Sequence, residues 1–113
     1  MNPQRITMVT LAVKDLEKSR AFYEALGFEE AEGGNEKIAF YKMNGQFFSL
    51  YSRDALSQDL CMPIHGRSTG TATLATNYDS QAAVDAAYVT AMDAGAICVT
   101  KPNEVFWGGY SGN

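Results

Sequence analysis

The sequence is short of the residues most chemistry needs. It has one histidine, two cysteines, three prolines and one tryptophan in 113 residues. The single histidine, His65, stands between Pro63 and Gly66 in a polar stretch, where a lone imidazole is ordinarily plain surface. With no second histidine, no Ser–His–Asp arrangement is legible. Cys61 and Cys98 lack metal-ligand spacing, so two reduced thiols in a cytoplasmic protein are the expectation. Nine Lys and Arg against thirteen Asp and Glu give a formal net charge of −4. No basic patch is available to displace counterions from phosphates, so nucleic acid is not an expected partner. No apolar run has the length of a bilayer span and no signal peptide opens the chain, so no membrane partner is expected either. Glu29, Glu30, Glu32 and Glu36 flank a turn and read as a solvated acidic edge. Gly33-Gly34 and Gly108-Gly109 open no helix, so neither makes a phosphate cradle.

What is present is an organised segment at residues 8–28, MVTLAVKDLEKSRAFYEALGF. Residues 8–13 are short, apolar and rich in β-branched side chains, the profile of a strand packed on both faces. Asp15 stands where a helix N-cap belongs, and Glu17 suits the positive end of the helix dipole. Leu16, Ser19, Phe22, Tyr23 and Leu26 recur at helical spacing. Gly27 can then take the positive φ that ends a helix, with Phe28 folding back on it. A weaker copy follows. Residues 71–78 form a strand candidate, Asp79-Ser80 a cap, and Gly95 a stop. Between them Val84, Ala87, Tyr88, Ala91 and Met92 make an apolar stripe. Asp15 to Gly27 is twelve positions and Asp79 to Gly95 is sixteen, a difference of about one helical turn that preserves the buried face. An internal repeat is therefore expected.

The run MVTLAVKD…AFYEALGF, its downstream copy, and the late KPNEVFWGGYSGN resemble the vicinal oxygen chelate superfamily, which includes glyoxalase I, bleomycin-resistance proteins and extradiol dioxygenases. The resemblance implies an α+β fold of two βαβββ modules, each a curved mixed sheet with a helix on its convex side and a ligand cleft on the concave side. The chain is then one domain: a first module at about 1–52, a linker at about 53–69 and a second module at about 70–113.

Within the first module, residues 28–31, 37–43 and 46–51 are strand candidates, and Asn44-Gly45 is a two-residue hairpin signal. A short helical turn is expected at 54–59. In the second module, strands are expected at about 96–99 and 104–107. A fourth strand, at the offset seen after Gly27, would fall at 114–119. The second module is thus expected to be incomplete at its C-terminus, its gap met by rearrangement or by a partner chain.

The family's enzymes hold a divalent ion with His, Gln or Glu from four strands. Carried over by position, the first ligand falls at Met8, seven residues before Asp15, and the fourth-strand ligand at Ser49. The fifth-strand ligand falls at Thr71, Thr73 or Thr76, and the last lies on the missing strand. A neutral thioether and hydroxyls are poor ligands for the hard or borderline ions concerned, so no metal and no other cofactor is expected.

Strand alternation then suggests a cleft. Met8, Thr10 and Ala12 share one face, with Val9, Leu11 and Val13 against the helix; Phe47, Ser49 and Tyr51 join the first set. Adding Thr73 and Trp107 gives an aromatic, hydroxyl-bearing lining suited to a largely apolar small molecule. The same side chains could equally fill the cleft as core. The expected function is metal-free binding of such a molecule by a homodimer. A metal-dependent lactoylglutathione lyase-like enzyme or dioxygenase, and a non-catalytic dimeric interaction module, are the alternatives; whether the chain is an enzyme stays open.

Overall fold

A computed structural model describes residues 6–61, 74–106 and 108–113. The chain divides into two compact units, Met1–Arg67 and Ser68–Asn113. His65, Thr71, Thr73 and Trp107 lie outside the described residues.

The first unit runs β1 (Met8–Val13), α1 (Leu16–Ala25), β2 (Glu30–Ala31), β3 (Ile38–Lys42), β4 (Phe47–Ser52) and α2 (Arg53–Leu60). Its four strands form one mixed sheet in the order β1-β4-β3-β2, with β1 parallel to β4 and the other pairs antiparallel. This is a complete βαβββ module. The parallel pair requires a crossover, and α1 supplies it.

The punctuation of α1 is set locally. The Asp15 side chain accepts from the Lys18 backbone N–H at 3.2 Å. At the other end Gly27 takes φ +98°, its N–H bonds to Glu24 O, and the Phe28 N–H reaches Tyr23 O. Those two bonds are a Schellman stop, and the Phe28 ring packs 5.2 Å from the Tyr23 ring as the motif requires. Leu16 and Tyr23 then seat α1 on the sheet face that carries Ala39, Tyr41, Phe48 and Leu50, the buried core of the unit. Burial of each large apolar side chain there contributes about 1.5–3 kcal/mol.

The observed strands correct several expected bounds. The strand expected at 28–31 begins only at Glu30, because Phe28 is engaged in the helix stop. The return strand spans Phe47–Ser52, and the expected helical turn is a helix of two turns capped by Ser52. In the Asn44-Gly45 turn only Gly45 has positive φ, so the turn is not the mirror-image type in which both central residues do. Glu30 is exposed on the edge strand, as expected, but it is not free there. The Arg20 guanidinium donates to both its carboxylate oxygens, at 3.1 and 3.3 Å, and also to the carbonyls of Asn35 and Ile38.

The second unit contains α3 (Gln81–Asp93) and an antiparallel pair, β5 (Asn103–Glu104) and β6 (Tyr110–Ser111). Ser80 caps α3 by accepting from the Ala83 N–H at 3.1 Å. Gly95 (φ +107°) and Ala96 bond back to Met92 O and Ala91 O, repeating the Schellman stop of α1. Of the expected stripe, Val84, Ala87, Tyr88 and Ala91 are half-buried and Met92 is exposed. The Tyr110 hydroxyl donates to Asp85 Oδ1 at 2.7 Å and ties β6 to α3.

Three expected strands fare differently. Residues 74–78 and 96–99 carry no strand, and the one expected at 104–107 is the short β5, ending at Glu104. A strand exists only with a paired neighbour. Here the N–H groups of Val99 and Thr100 both go to the Asn113 carbonyl instead of to a ladder. Among the described residues this unit's sheet has two strands.

Candidate functional site

The face of the first sheet opposite α1 gathers five of the seven residues read as a cleft. Register places them in rows. Met8 is opposite Phe47, which is opposite Lys42; Thr10 is opposite Ser49, which is opposite Phe40; Ala12 is opposite Tyr51, which is opposite Ile38. Met8, Thr10, Phe47, Ser49 and Tyr51 therefore share one face. Thr73 and Trp107 fall outside the described residues. Phe40 and Lys42 belong to the same rows and were not among the expected site residues. Their alternation was readable, but only the β3–β4 register puts Phe40 beside Ser49.

Ser49 lies wholly buried at the centre of this surface, and its Oγ shares a 2.7 Å hydrogen bond with Thr10 Oγ1. The bond explains how a polar side chain is tolerated there. Around the pair, Phe40, Phe47 and Tyr51 are half-buried, while Thr10 and Lys42 are exposed and Met8 is 41% exposed. The surface is apolar and aromatic, with one hydroxyl pair at its centre and one ammonium at an end.

The donor set does not fit a metal. Met8 offers a neutral thioether, and Ser49 offers a hydroxyl already bonded to Thr10. Thr76 is exposed and belongs to no strand. No group of three or more His, Cys, Asp or Glu among the described residues is placed to hold an ion.

On the other side of the sheet, a depression of about 500 Å³ is lined by Arg20, Glu24, Gly27, Phe28, Glu29, Glu30 and Tyr41. Arg20 is occupied there by Glu30 and two carbonyls. Burial raises the pKa of Tyr41, and the nearby Glu30 charge adds to the effect. Burial likewise raises that of Tyr23. Both phenols stay neutral and serve as packing. In the second unit, interaction with the Cys98 side chain raises the pKa of Tyr88. Both cysteines are free thiols.

Residues 5–113 match the model of the glyoxalase/bleomycin resistance protein/dioxygenase superfamily. The chain belongs to this superfamily. A glyoxalase-related enzyme from Fulvimarina pelagi is similar at 28% identity and a TM-score of 0.88, over 96% of this chain and 78% of that one. A glyoxalase/bleomycin resistance protein/dioxygenase family enzyme from Burkholderia phytofirmans PsJN shares the fold at 21% identity and a TM-score of 0.81, over 94% of this chain and 85% of that one. Lactoylglutathione lyase from Agrobacterium tumefaciens shares it at 24% identity and a TM-score of 0.72, over 98% and 84%. No curated protein matches at a significant level. Among the described residues no helix of this superfamily member is long and apolar enough to cross a membrane.

Proposed function

We propose that this superfamily member binds a small, largely apolar molecule on the open face of its first sheet, without a metal. The observation that carries the reading is the Thr10–Ser49 pair. Ser49, to which the resemblance carries a family metal ligand, has its hydroxyl bonded within the protein and is set among Phe40, Phe47 and Tyr51. Apolar side chains around a few polar groups are the usual composition of a small-molecule site. Met8, Thr10, Phe47, Ser49 and Tyr51 are the contacts proposed. The working state proposed is a cytoplasmic homodimer.

A metal-dependent lyase or dioxygenase is the competing reading, favoured by the 28% identity to a glyoxalase-related enzyme. Elemental analysis, with calorimetric titration of Zn²⁺, Ni²⁺ and Fe²⁺, separates the two. The binder reading expects no ion held more tightly than nonspecifically, and a rise in Tm with apolar ligands; a ligand at a hundredfold its Kd stabilises by about 2.7 kcal/mol. One tightly held ion per chain would overturn it in favour of the enzyme.

A further inference from the structure

We propose that the molecule taken by the open face carries an anionic group at one end, held by Lys42. The inference rests on the reading of that face as a ligand site and adds the chemical class of its occupant.

Lys42 pairs with Phe47 at the end of β3, and alternation puts it on the same face as Phe40 and Ile38. Among the described residues it is the only charged side chain that register places on that face. The one acid within these strands, Glu30, pairs with Tyr41 in β2 and so belongs to the α1 side, where Arg20 neutralises it. Lys42 takes part in neither of the ion pairs formed among the described residues, both of which use Arg20. A cation without a counter-ion beside an apolar, aromatic surface is complementary to an amphipathic anion.

The dimensions agree with such a ligand. The row of Lys42 and the row of Tyr51 are four residues apart along the strands, about 13 Å. A two-ring body lying over Phe47, Phe40 and Tyr51 would pass the exposed Thr10 at its middle and leave its acid at the ammonium. The chain as a whole carries a formal charge of −4, so its overall field repels anions. A preference for an anion must therefore come from local placement.

Two fluorescent probes with one framework test this: 8-anilinonaphthalene-1-sulfonate, and N-phenyl-1-naphthylamine, which lacks the sulfonate. Each is titrated into the full chain at low salt. The sulfonate is expected to bind about tenfold more tightly, the scale of one partly screened ion pair. Lys42→Met should abolish that preference while leaving the neutral probe's affinity unchanged, which also reports that the variant is folded. Lys37→Met, an exposed lysine just outside the strand, should keep the preference. Equal affinities in the unaltered protein would overturn the anionic class and leave the apolar site standing. An equal loss in both lysine variants would overturn the assignment to Lys42. Failure of both probes to bind would overturn the inference together with the ligand-site reading beneath it.

Discussion

Thr10 Oγ1 and Ser49 Oγ lie 2.7 Å apart across the parallel junction of β1 and β4. The two residues are thirty-nine positions apart in sequence, and the crossover through α1 brings them level. Both lie on the same face of the sheet, Ser49 wholly buried and Thr10 exposed.

Removing both partners should cost less than the two single removals added together. Thr10→Val leaves a buried hydroxyl without its bond, an expected loss of about 1–2 kcal/mol, and Ser49→Ala should cost about 1 kcal/mol. The double variant should lose less than the sum, because neither hydroxyl is then stranded. Urea denaturation of the four proteins measures the coupling; strict additivity would mean the bond contributes nothing.

Two glycines beside α1 and β3 should fail for different reasons. At Gly27 a Cβ would meet nothing within 4 Å, but φ is +98°. Gly27→Ala should thus cost about 1–2 kcal/mol of conformational strain. At Gly34 a Cβ would approach the Ile38 carbonyl oxygen to 2.7 Å, so the backbone must shift. Gly27→Asn should recover part of the first loss, since Asn tolerates the left-handed region, whereas Gly34→Asn should recover none of the second. Urea midpoints for these three variants and for Gly34→Ala check both statements.

Arg20 holds β2 and the following loop through Glu30 and two carbonyls. Arg20→Met should destabilise by about 1–2 kcal/mol, and Glu30→Gln by less, since the carbonyl bonds survive it. Arg20→Lys should behave more like Met than like Arg, because an ammonium cannot reproduce the fork. Amide hydrogen exchange should quicken at Ala31 and Ile38 in Arg20→Met; unchanged exchange there would count against the anchoring role.

Stability should fall in alkali. Burial raises the folded-state pKa of Tyr23 and Tyr41 above the ordinary value near 10. The folded chain then holds protons that the unfolded chain has already released. Their contribution is complete below about pH 10 and is lost as pH rises through the folded values. Urea midpoints between pH 8 and pH 11 should decline at the upper end, and less steeply in Tyr23→Phe.

Much of the first unit was legible because its signals are local. Asp15, Gly27 and Phe28 fix both ends of α1 within a few residues. Alternation from Met8 and Ser49, combined with one hairpin turn, is enough to assign faces. Arg20 was not legible, since its partners come from ten to eighteen residues away and nothing near it marks them. The second unit's helix punctuation was also local, and Ser80 and Gly95 act as read. Its strands were not, because pairing depends on a partner segment and short apolar runs do not announce one. Which face Lys42 occupies, and its isolation from any carboxylate in these strands, follow only from the β3–β4 register.

Binding of an apolar ligand on the Thr10–Ser49 face without a metal is the proposal on which the others depend. Its most direct test is a ¹⁵N-labelled spectrum of the chelator-treated protein, recorded while N-phenyl-1-naphthylamine is added in the presence of EDTA. Shifts are expected to concentrate at Met8, Thr10, Phe40, Phe47, Ser49 and Tyr51, and to be unchanged when Zn²⁺ replaces EDTA. Shifts confined to the Arg20–Glu30 side of the sheet, or seen only with the ion present, would contradict it.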